Sequence, residues 1–209
     1  MSADVFEKIA NDLQVQGYSI IRHALPQQLT EKLHFSIREN NTGKFEAAGL
    51  GRKEQHVLSS EIRSDKICWI DASFDAGQQW LSWTADLQQY LNRRLYLGLF
   101  SFESHFAHYQ PGAFYKKHID AFRGESNRRL SLVCYLNPEW IESDGGELVL
   151  YDSQGEQIIA KVLPECGTIV VFLSEEFPHE VLPSNRDRFS IAGWFRHNTS
   201  HSRKVDPPE

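Results

Sequence analysis

The pattern of apolar and polar positions divides the chain into a helical first part and a β-rich second part. Apolar residues recur at near-helical spacing over residues 3–16, from Pro26 to the asparagines at 40–41, and over residues 78–95, which predicts three amphipathic helices. Phe35 is expected on the apolar side of the second helix, and Trp80 and Trp83 are expected to face inward from the third. Residues 18–22 and 66–70 are short apolar runs typical of strands. The first 95 residues are therefore expected to be mainly helix and loop.

The pattern changes after residue 95. Short runs rich in β-branched and aromatic residues alternate with Pro, Gly and Asn turns, and they cover residues 99–109, 128–136, 147–151, 158–163, 168–173 and 188–195. Helices followed by many short strands predict an α+β protein, mainly β, in which helices support a sandwich or barrel. Because no repeat or linker interrupts the chain, we expect a single domain with a frayed polar tail at residues 200–209.

One long segment fits neither pattern. The stretch from Gly43 to Ser60 has three glycines, mixed charge and little periodicity. Loops of this length in a compact domain are often functional, so we predict a mobile loop with a role at the site.

Composition narrows the classes of partner. The chain has 22 Lys and Arg residues against 28 Asp and Glu residues, a net charge of −6, which disfavours nucleic acids and anionic membranes as partners. No stretch approaches the roughly 18 apolar residues that a membrane span needs. The three cysteines are widely spaced and odd in number, so we expect reduced thiols and a cytoplasmic location.

Nine histidines make a metal site worth considering. In a strand, His118 and Asp120 would point to one face while Ile119 enters the core. Chance alone gives about one such triplet in two chains of this composition, so the triplet is weak evidence by itself. His179 lies between two β-rich runs, and two imidazoles with one carboxylate form the facial triad of non-haem Fe(II) oxygenases. Arg188 follows nine residues later, and a guanidinium inside a barrel needs an anionic partner such as a dicarboxylate.

The residues between Arg63 and Phe195 also resemble a known family, the Fe(II)/2-oxoglutarate-dependent dioxygenases, and within it the prolyl 4-hydroxylases of the hypoxia-inducible-factor type, including bacterial members. Seven segments in order carry the resemblance: RSDKICWI at 63–70, YQPG at 109–112, YKKHID at 115–120, YLNPEW at 135–140, GGEL at 145–148, PHEV at 178–181 and RFSIAGW at 188–194. Seven ordered matches are far more specific than the triplet alone.

The resemblance implies a fold and an activity. The fold is a double-stranded β-helix, or jelly roll, formed by residues 96–199 and supported by helices in residues 1–95. The activity is hydroxylation of a prolyl residue at C4 in a protein substrate, with succinate and carbon dioxide as co-products. The implied cofactors and cosubstrates are Fe(II), 2-oxoglutarate, O2 and L-ascorbate, and the bacterial members point to elongation factor Tu as the substrate. We expect a monomer.

The resemblance also assigns the residues nearest the iron. His118, Asp120 and His179 match the family's iron ligands. Arg188 matches the basic residue that pairs with the distal carboxylate of 2-oxoglutarate, and Tyr135 matches a tyrosine whose hydroxyl reaches the same carboxylate.

Further matches extend to the pocket wall and its entrance. Tyr109 matches a residue lining the cosubstrate pocket, and Trp194 matches a tryptophan at its wall. Arg128 falls where relatives place an arginine for the substrate, and the loop at about residues 44–63 corresponds to a finger that folds over the bound peptide, with Arg63 and Asp65 at its base. The finger residues themselves and the stretch 121–127 do not match.

Other interpretations stay open at this point. Another oxygenase of the same fold would act on a small molecule or a nucleic acid, and a non-catalytic jelly roll would bind the metal or 2-oxoglutarate as a sensor. Either His105 or His108 borders the pocket, or both are ordinary strand histidines, and the remaining histidines (His23, His34, His56, His197 and His201) are expected at the surface.

Overall fold

Helices come first in the chain and strands dominate afterwards, as predicted. The computed structural model describes residues 2–40, 45–48, 61–121 and 127–198. In these ranges the helices are α1 (Ser2–Gln16), α2 (Gln27–Phe35) and α3 (Asp75–Leu95), with a π-helical turn at Ser36–Asn40 and a 3₁₀ turn at Glu142–Asp144. The strands are β1 (Tyr18–Ile21), β2 (Glu46–Ala47), β3 (Lys66–Trp69), β4 (Leu99–Tyr109), β5 (Tyr115–His118), β6 (Arg128–Tyr135), β7 (Leu148–Tyr151), β8 (Ile158–Val162), β9 (Ile169–Leu173), β10 (His179–Val181) and β11 (Arg188–His197).

These strands form two facing sheets. The larger sheet has the order β1-β9-β6-β11-β4-β3-β2 and the smaller sheet has the order β5-β10-β7-β8. All the ladders within them are antiparallel. The predicted α+β, mainly β jelly-roll architecture is confirmed.

The two faces of the larger sheet have different partners because strand side chains alternate. On β6, Leu130 and Leu132 pack into the core under the helices, whereas Tyr135 faces the smaller sheet. On β11, Ile191 and Phe195 join the helical core. The even-numbered residues of β11, among them Arg188, Ser190 and Trp194, have the opposite parity and lie on the inner face.

The helices cover the outer face of the larger sheet. Trp80 and Trp83 of α3 are buried and stacked with ring centroids 5.9 Å apart, and the Trp80 indole N–H donates to Ser104 Oγ of β4 at 3.0 Å. Both tryptophans therefore lie in the core, as predicted. Phe35 was predicted on the apolar side of α2 and is instead 59% exposed, because a two-residue step of about 200° separates it from the buried Leu33.

Three strands, β2, β5 and β10, lie outside the predicted runs. The four residues of β5, Tyr115–His118, include two lysines, and the three residues of β10, His179–Val181, are too few to show a period. They form strands because each pairs with a neighbour, β5 with β10 and β10 with β7. Part of the predicted finger is also a strand, since β2 pairs with β3.

Several sequence predictions fall outside the described residues. This group comprises residues 44 and 49–60 of the predicted finger, the tail from residue 199 and most of the stretch 121–127, and it includes His56 and His201. None of the described helices has both the length and the apolar character needed to cross a membrane. The three cysteines all lie in the described ranges and form no disulfide there; Cys68 and Cys134 are buried and Cys166 is partly exposed.

Asn137 connects the end of β6 to the start of β11. Its Nδ2 donates to the carbonyls of Pro164 and Phe189 at 2.8 and 2.9 Å, and its Oδ1 accepts the Phe189 N–H at 2.7 Å. The residue is 2% exposed, so water does not replace these bonds. Asn137 therefore fixes the backbone next to Arg188.

We expect Asn137→Ala to lower the free energy of unfolding by about 3 kcal/mol, because it leaves buried backbone groups unsatisfied. Urea denaturation measures the loss. The control is Asn185→Ala, since Asn185 is exposed and its side chain donates one bond to the Ser143 carbonyl, and its change should stay within about 0.5 kcal/mol. Equal losses in the two variants would contradict the role given to Asn137.

Candidate active site

Strand pairing brings together the three residues predicted to bind metal. His179, the first residue of β10, lies directly opposite His118, the last residue of β5, and the ring centroids are 4.2 Å apart. Asp120 follows two residues after β5. One potential ligand atom from each of the three lies within 4.8 Å of the others, so the group could hold a metal ion.

The backbone structure that positions this cluster differs from the predicted one. The strand ends at His118, and Asp120 lies in a bend rather than in the same strand. Ile119 is partly exposed instead of entering the core. The bend, not the two-residue period of a strand, therefore directs the Asp120 carboxylate toward both imidazoles.

Both imidazoles are oriented by backbone carbonyls. Nδ1 of His118 lies 2.8 Å from the Lys116 carbonyl, and Nδ1 of His179 lies 3.1 Å from the Phe177 carbonyl. A carbonyl only accepts, so each Nδ1 carries the proton and each Nε2 presents a lone pair. Burial lowers the pKa of His179 to about 4, which keeps that ring neutral.

Asp120 completes the donor set. Its carboxylate oxygens lie 3.6 Å from His118 Nε2 and 3.7 Å from His179 Nε2. Burial alone would raise the pKa of Asp120, but the neighbouring His179 and His118 hold it well below its ordinary value. Two imidazoles and one carboxylate are the donor set of a non-haem Fe(II) site.

Arg188 is a buried cation without an acidic partner. Its side chain is 1% exposed, its Nε donates to the Gly146 carbonyl at 2.8 Å, and its Nη1 donates to Ser190 Oγ at 3.2 Å. Among the described residues no carboxylate pairs with it. An uncompensated buried charge costs several kcal/mol, so the geometry fits an anionic ligand at this position.

Two tyrosines flank the Arg188 guanidinium. The centre of the guanidinium lies 4.9 Å from the Tyr109 ring centroid and 5.2 Å from that of Tyr135. The Tyr135 hydroxyl is fully buried and has no hydrogen-bond partner in the described part of the chain. A carboxylate next to Arg188 would satisfy this hydroxyl, so these residues fit a dicarboxylate such as 2-oxoglutarate.

Trp194 contacts Asp120, and Arg128 lies on the Trp194 ring. The Trp194 indole N–H donates to Asp120 Oδ2 at 3.0 Å, and the Arg128 guanidinium lies 3.6 Å above the Trp194 ring. Arg128 also pairs with Glu103 at 3.4 Å. Trp194, predicted as a wall of the cosubstrate pocket, thus contacts a candidate metal ligand directly.

Arg63 and Asp65 form a buried ion pair beside the site. Arg63 Nε and Nη2 donate to the two Asp65 oxygens at 2.5 and 2.8 Å. The guanidinium lies 4.7 Å from the Tyr115 ring centroid, and that ring stacks on His118 at 3.5 Å. The base of the predicted finger is therefore in contact with a candidate metal ligand through Tyr115.

The two ambiguous histidines have partners outside the cluster. His105 is buried between the rings of Trp69 and Trp194, at 5.3 and 5.5 Å, and its Nδ1 bonds to the Phe106 carbonyl. His108 pairs with Asp187 at 2.6 Å. Neither joins the cluster of His118, Asp120 and His179.

Comparison with known proteins agrees with this geometry. Residues 104–196 match the sequence profile of the 2OG-Fe(II) oxygenase superfamily. A solved prolyl-4-hydroxylase from Pseudomonas putida is 39% identical, with a TM-score of 0.84 over 92% of this chain and 100% of that chain. The chain belongs to the prolyl hydroxylases of this superfamily.

Two further relatives are similar to this chain over most of its length. A prolyl hydroxylase from Trichoplax adhaerens, solved with a peptide fragment of the hypoxia inducible factor oxygen degradation domain, is 27% identical, with a TM-score of 0.82 over 93% of this chain and 90% of that chain. Human Egl nine homolog 1 is 25% identical over 199 residues, which is 90% of this chain and 46% of that protein. This prolyl hydroxylase chain thus spans about half the length of that curated relative.

Several residues of the candidate site were not predicted from the sequence. Ser131 donates to Asp120 Oδ2, Ser190 accepts from Arg188, and the Trp140 indole N–H holds the Gly145 carbonyl at 2.9 Å. A usable signal was present for the two serines. Each is a polar residue at the strand parity of Tyr135 or Arg188, so alternation alone places it on the inner face.

Gly146 allows Arg188 to approach the backbone. Its φ is +73°, and a Cβ there would lie 2.9 Å from Ser184 Cβ and 3.1 Å from Arg188 Cδ. Gly155 has a similar φ of +75°, but its nearest neighbour would be Pro178 Cγ at 3.5 Å. Alanine variants at the two positions would share the cost of backbone strain, but only the variant at Gly146 would add the cost of close packing.

We expect Gly146→Ala to cost about 2–4 kcal/mol of unfolding free energy, from left-handed strain and overpacking together. Gly155→Ala should cost only the strain, about 1–2 kcal/mol. Urea denaturation of both variants measures the difference. If Gly155→Ala proved as damaging as Gly146→Ala, the close approach to Arg188 would carry no energetic weight.

Proposed function

We propose that this protein is an Fe(II)- and 2-oxoglutarate-dependent dioxygenase that hydroxylates a prolyl residue of a protein at C4. The observation that carries the proposal is the buried Arg188 guanidinium, which has no carboxylate partner in the described chain and shares the interior with His118, Asp120 and His179. A dicarboxylate cosubstrate would neutralise this charge. The 39% identical prolyl-4-hydroxylase supports the reaction class.

The residues divide into a metal set and a cosubstrate set. His118 and His179 would hold Fe(II) through Nε2, and Asp120 would hold it through its carboxylate. Arg188 would pair with the distal carboxylate of 2-oxoglutarate, and the free Tyr135 hydroxyl would donate to the same group. When bound, Fe(II) and 2-oxoglutarate supply the oxidising power that places one oxygen atom of O2 on the substrate, with succinate and carbon dioxide as co-products.

The protein itself contributes position rather than acid–base chemistry. The two backbone carbonyls fix the imidazole rings, and the sheet buries Arg188 so that water does not compete for its partner. Tyr109 packs its ring along the guanidinium and restricts the cosubstrate pocket. This arrangement would hold the prolyl C–H at the metal and keep other groups away.

The proposed peptide contacts lie at the edge of the site. Arg128 lies over Trp194 next to Asp120, where a substrate carbonyl would reach its guanidinium. Arg63 and Asp65 would anchor the finger from below through their ion pair. The relative solved with a peptide fragment supports an extended peptide, rather than a small molecule or a nucleic acid, as the substrate.

The decisive assay is succinate formation. We expect the purified protein with Fe(II), 2-oxoglutarate, O2 and proline-containing peptides to release succinate and 4-hydroxyproline, with L-ascorbate increasing the yield. Asp120→Ala should reduce both products to background because one metal ligand is lost. The matched control, Asp86→Ala, removes an exposed carboxylate on α3 and should retain full activity. Tight Fe(II) binding without turnover on any prolyl substrate would instead support the sensor interpretation.

As the protein substrate we propose elongation factor Tu, on the basis of the resemblance to bacterial members. Purified factor treated with the wild-type protein should gain the mass of one oxygen atom on a single proline, and treatment with Asp120→Ala should leave it unchanged. Peptide mass spectrometry locates the proline, and amino-acid analysis distinguishes C4 from C3 hydroxylation. An unmodified factor alongside active turnover of another peptide would exclude this substrate while preserving the proposed reaction.

We also propose a cytoplasmic monomer. Three cysteines that form no disulfide in the described part of the chain fit a reducing compartment. The net charge of −6 favours a protein substrate that is neutral or basic around its target proline.

A further inference from the structure

Two hydrogen-bond donors converge on one oxygen of Asp120. Ser131 Oγ lies 2.6 Å from Oδ2, and the Trp194 indole Nε1 lies 3.0 Å from the same atom. A carboxylate oxygen has two acceptor positions, so these donors occupy both. Oδ1 accepts no hydrogen bond from the described residues and is the oxygen nearest His118 Nε2.

A second serine holds the first. Ser174 Oγ lies 2.9 Å from Ser131 Oγ, and the two residues are 0% and 1% exposed. The Asp120 carboxylate only accepts, so the Ser131 proton points to Oδ2 and Ser174 must donate to Ser131. The chain of hydrogen bonds therefore has one direction, from Ser174 through Ser131 to Asp120.

Three neighbouring strands place these donors. Ser131 of β6 lies directly opposite Trp194 of β11 in the ladder. On the other side, β6 pairs with β9, and Ser174 follows β9 with its backbone N–H bonded to the Arg129 carbonyl at 3.2 Å. The two donors to Oδ2 are thus in strands of the larger sheet and Ser174 directly follows one, whereas Asp120 lies in the bend after β5.

We propose that Ser131, held by Ser174, and Trp194 are positioning residues that occupy Oδ2 of Asp120 and restrict the carboxylate to binding metal through Oδ1 alone. The inference rests on the metal site proposed above. Its consequence is a coordination number: two imidazoles and one oxygen leave three positions on an octahedral ion, whereas a carboxylate bound through both oxygens leaves two. A cosubstrate that binds through two oxygens needs the third position kept free for O2.

Metal affinity tests the proposal without using turnover. Mn(II) titration of the apoprotein, with unbound Mn(II) measured by electron paramagnetic resonance, gives the dissociation constant. Loss of a partner that orients a metal ligand costs about 10–100-fold in affinity, so Ser131→Ala should weaken Mn(II) binding by that factor. Ser174 contacts Ser131 rather than Asp120, so Ser174→Ala should weaken Mn(II) binding by a smaller factor, about 2–10-fold.

Two serine variants serve as matched controls. Ser131→Thr keeps the hydroxyl and should restore affinity to within about threefold of wild type. Ser19→Ala removes another buried serine that donates to a carboxylate, Asp12 Oδ2 at 2.7 Å, in β1. It should leave Mn(II) affinity unchanged, while its urea unfolding midpoint falls about as far as that of Ser131→Ala.

The Co(II) absorption spectrum reports the coordination directly. In Ser131→Ala combined with Trp194→Phe, both donors to Oδ2 are gone, and we expect the visible d–d bands to shift relative to wild type as the second oxygen binds. An unchanged spectrum in the double variant, or equal Mn(II) affinities for Ser131→Ala and Ser19→Ala, would overturn the positioning role while leaving the metal site intact. Absence of Mn(II) and Co(II) binding in the wild type would overturn the metal site itself, and with it this inference.

Discussion

The burial of one positive charge organises much of this structure. The Arg188 guanidinium is enclosed between two sheets, where an unpaired charge costs several kcal/mol. Neutral hydrogen-bond acceptors stabilise the guanidinium but do not neutralise its charge. The Gly146 carbonyl and Ser190 hydroxyl each take one bond. These contacts require a glycine with positive φ, a second glycine held by Trp140, and the connection that Asn137 makes at the start of β11. The positive charge of Arg188 itself remains without a counter-ion among the described residues, and an anionic cosubstrate would neutralise it.

The inner face of the larger sheet serves packing and chemistry at once. Val170 and Phe172 of β9 fill it with apolar volume, while neighbouring strands contribute Tyr135, Ser131 and Arg188 to the same surface. Apolar surroundings exclude water and strengthen each polar contact made within them. They also demand that each polar group find a partner, which is why the free Tyr135 hydroxyl is informative.

Local patterns in the sequence predict the long elements of this fold, whereas pairing between distant strands decides the short ones. The three helices and the long strands β4, β6 and β11 follow from apolar periodicity over many residues. The short strands β5 and β10 have no readable period, yet their register places His118 opposite His179. Phe35 shows the opposite error: it was assigned to the apolar side of α2, but a two-residue step of about 200° from the buried Leu33 places it on the exposed side.

The candidate ligands show the same difference between what the sequence predicts and what the folded structure decides. The residue types of His118, Asp120, His179 and Arg188 indicated a metal site beside a binding position for an anion, because donor chemistry is a local property. The jelly-roll fold, the iron and the 2-oxoglutarate were implied by the resemblance of the surrounding motifs to a known family. The bend that aims Asp120, the two donors on its Oδ2 and the missing partner of Arg188 were decided by tertiary structure alone. Each depends on residues tens of positions apart, and sequence spacing does not encode the distances between strands that meet only in the folded sheet.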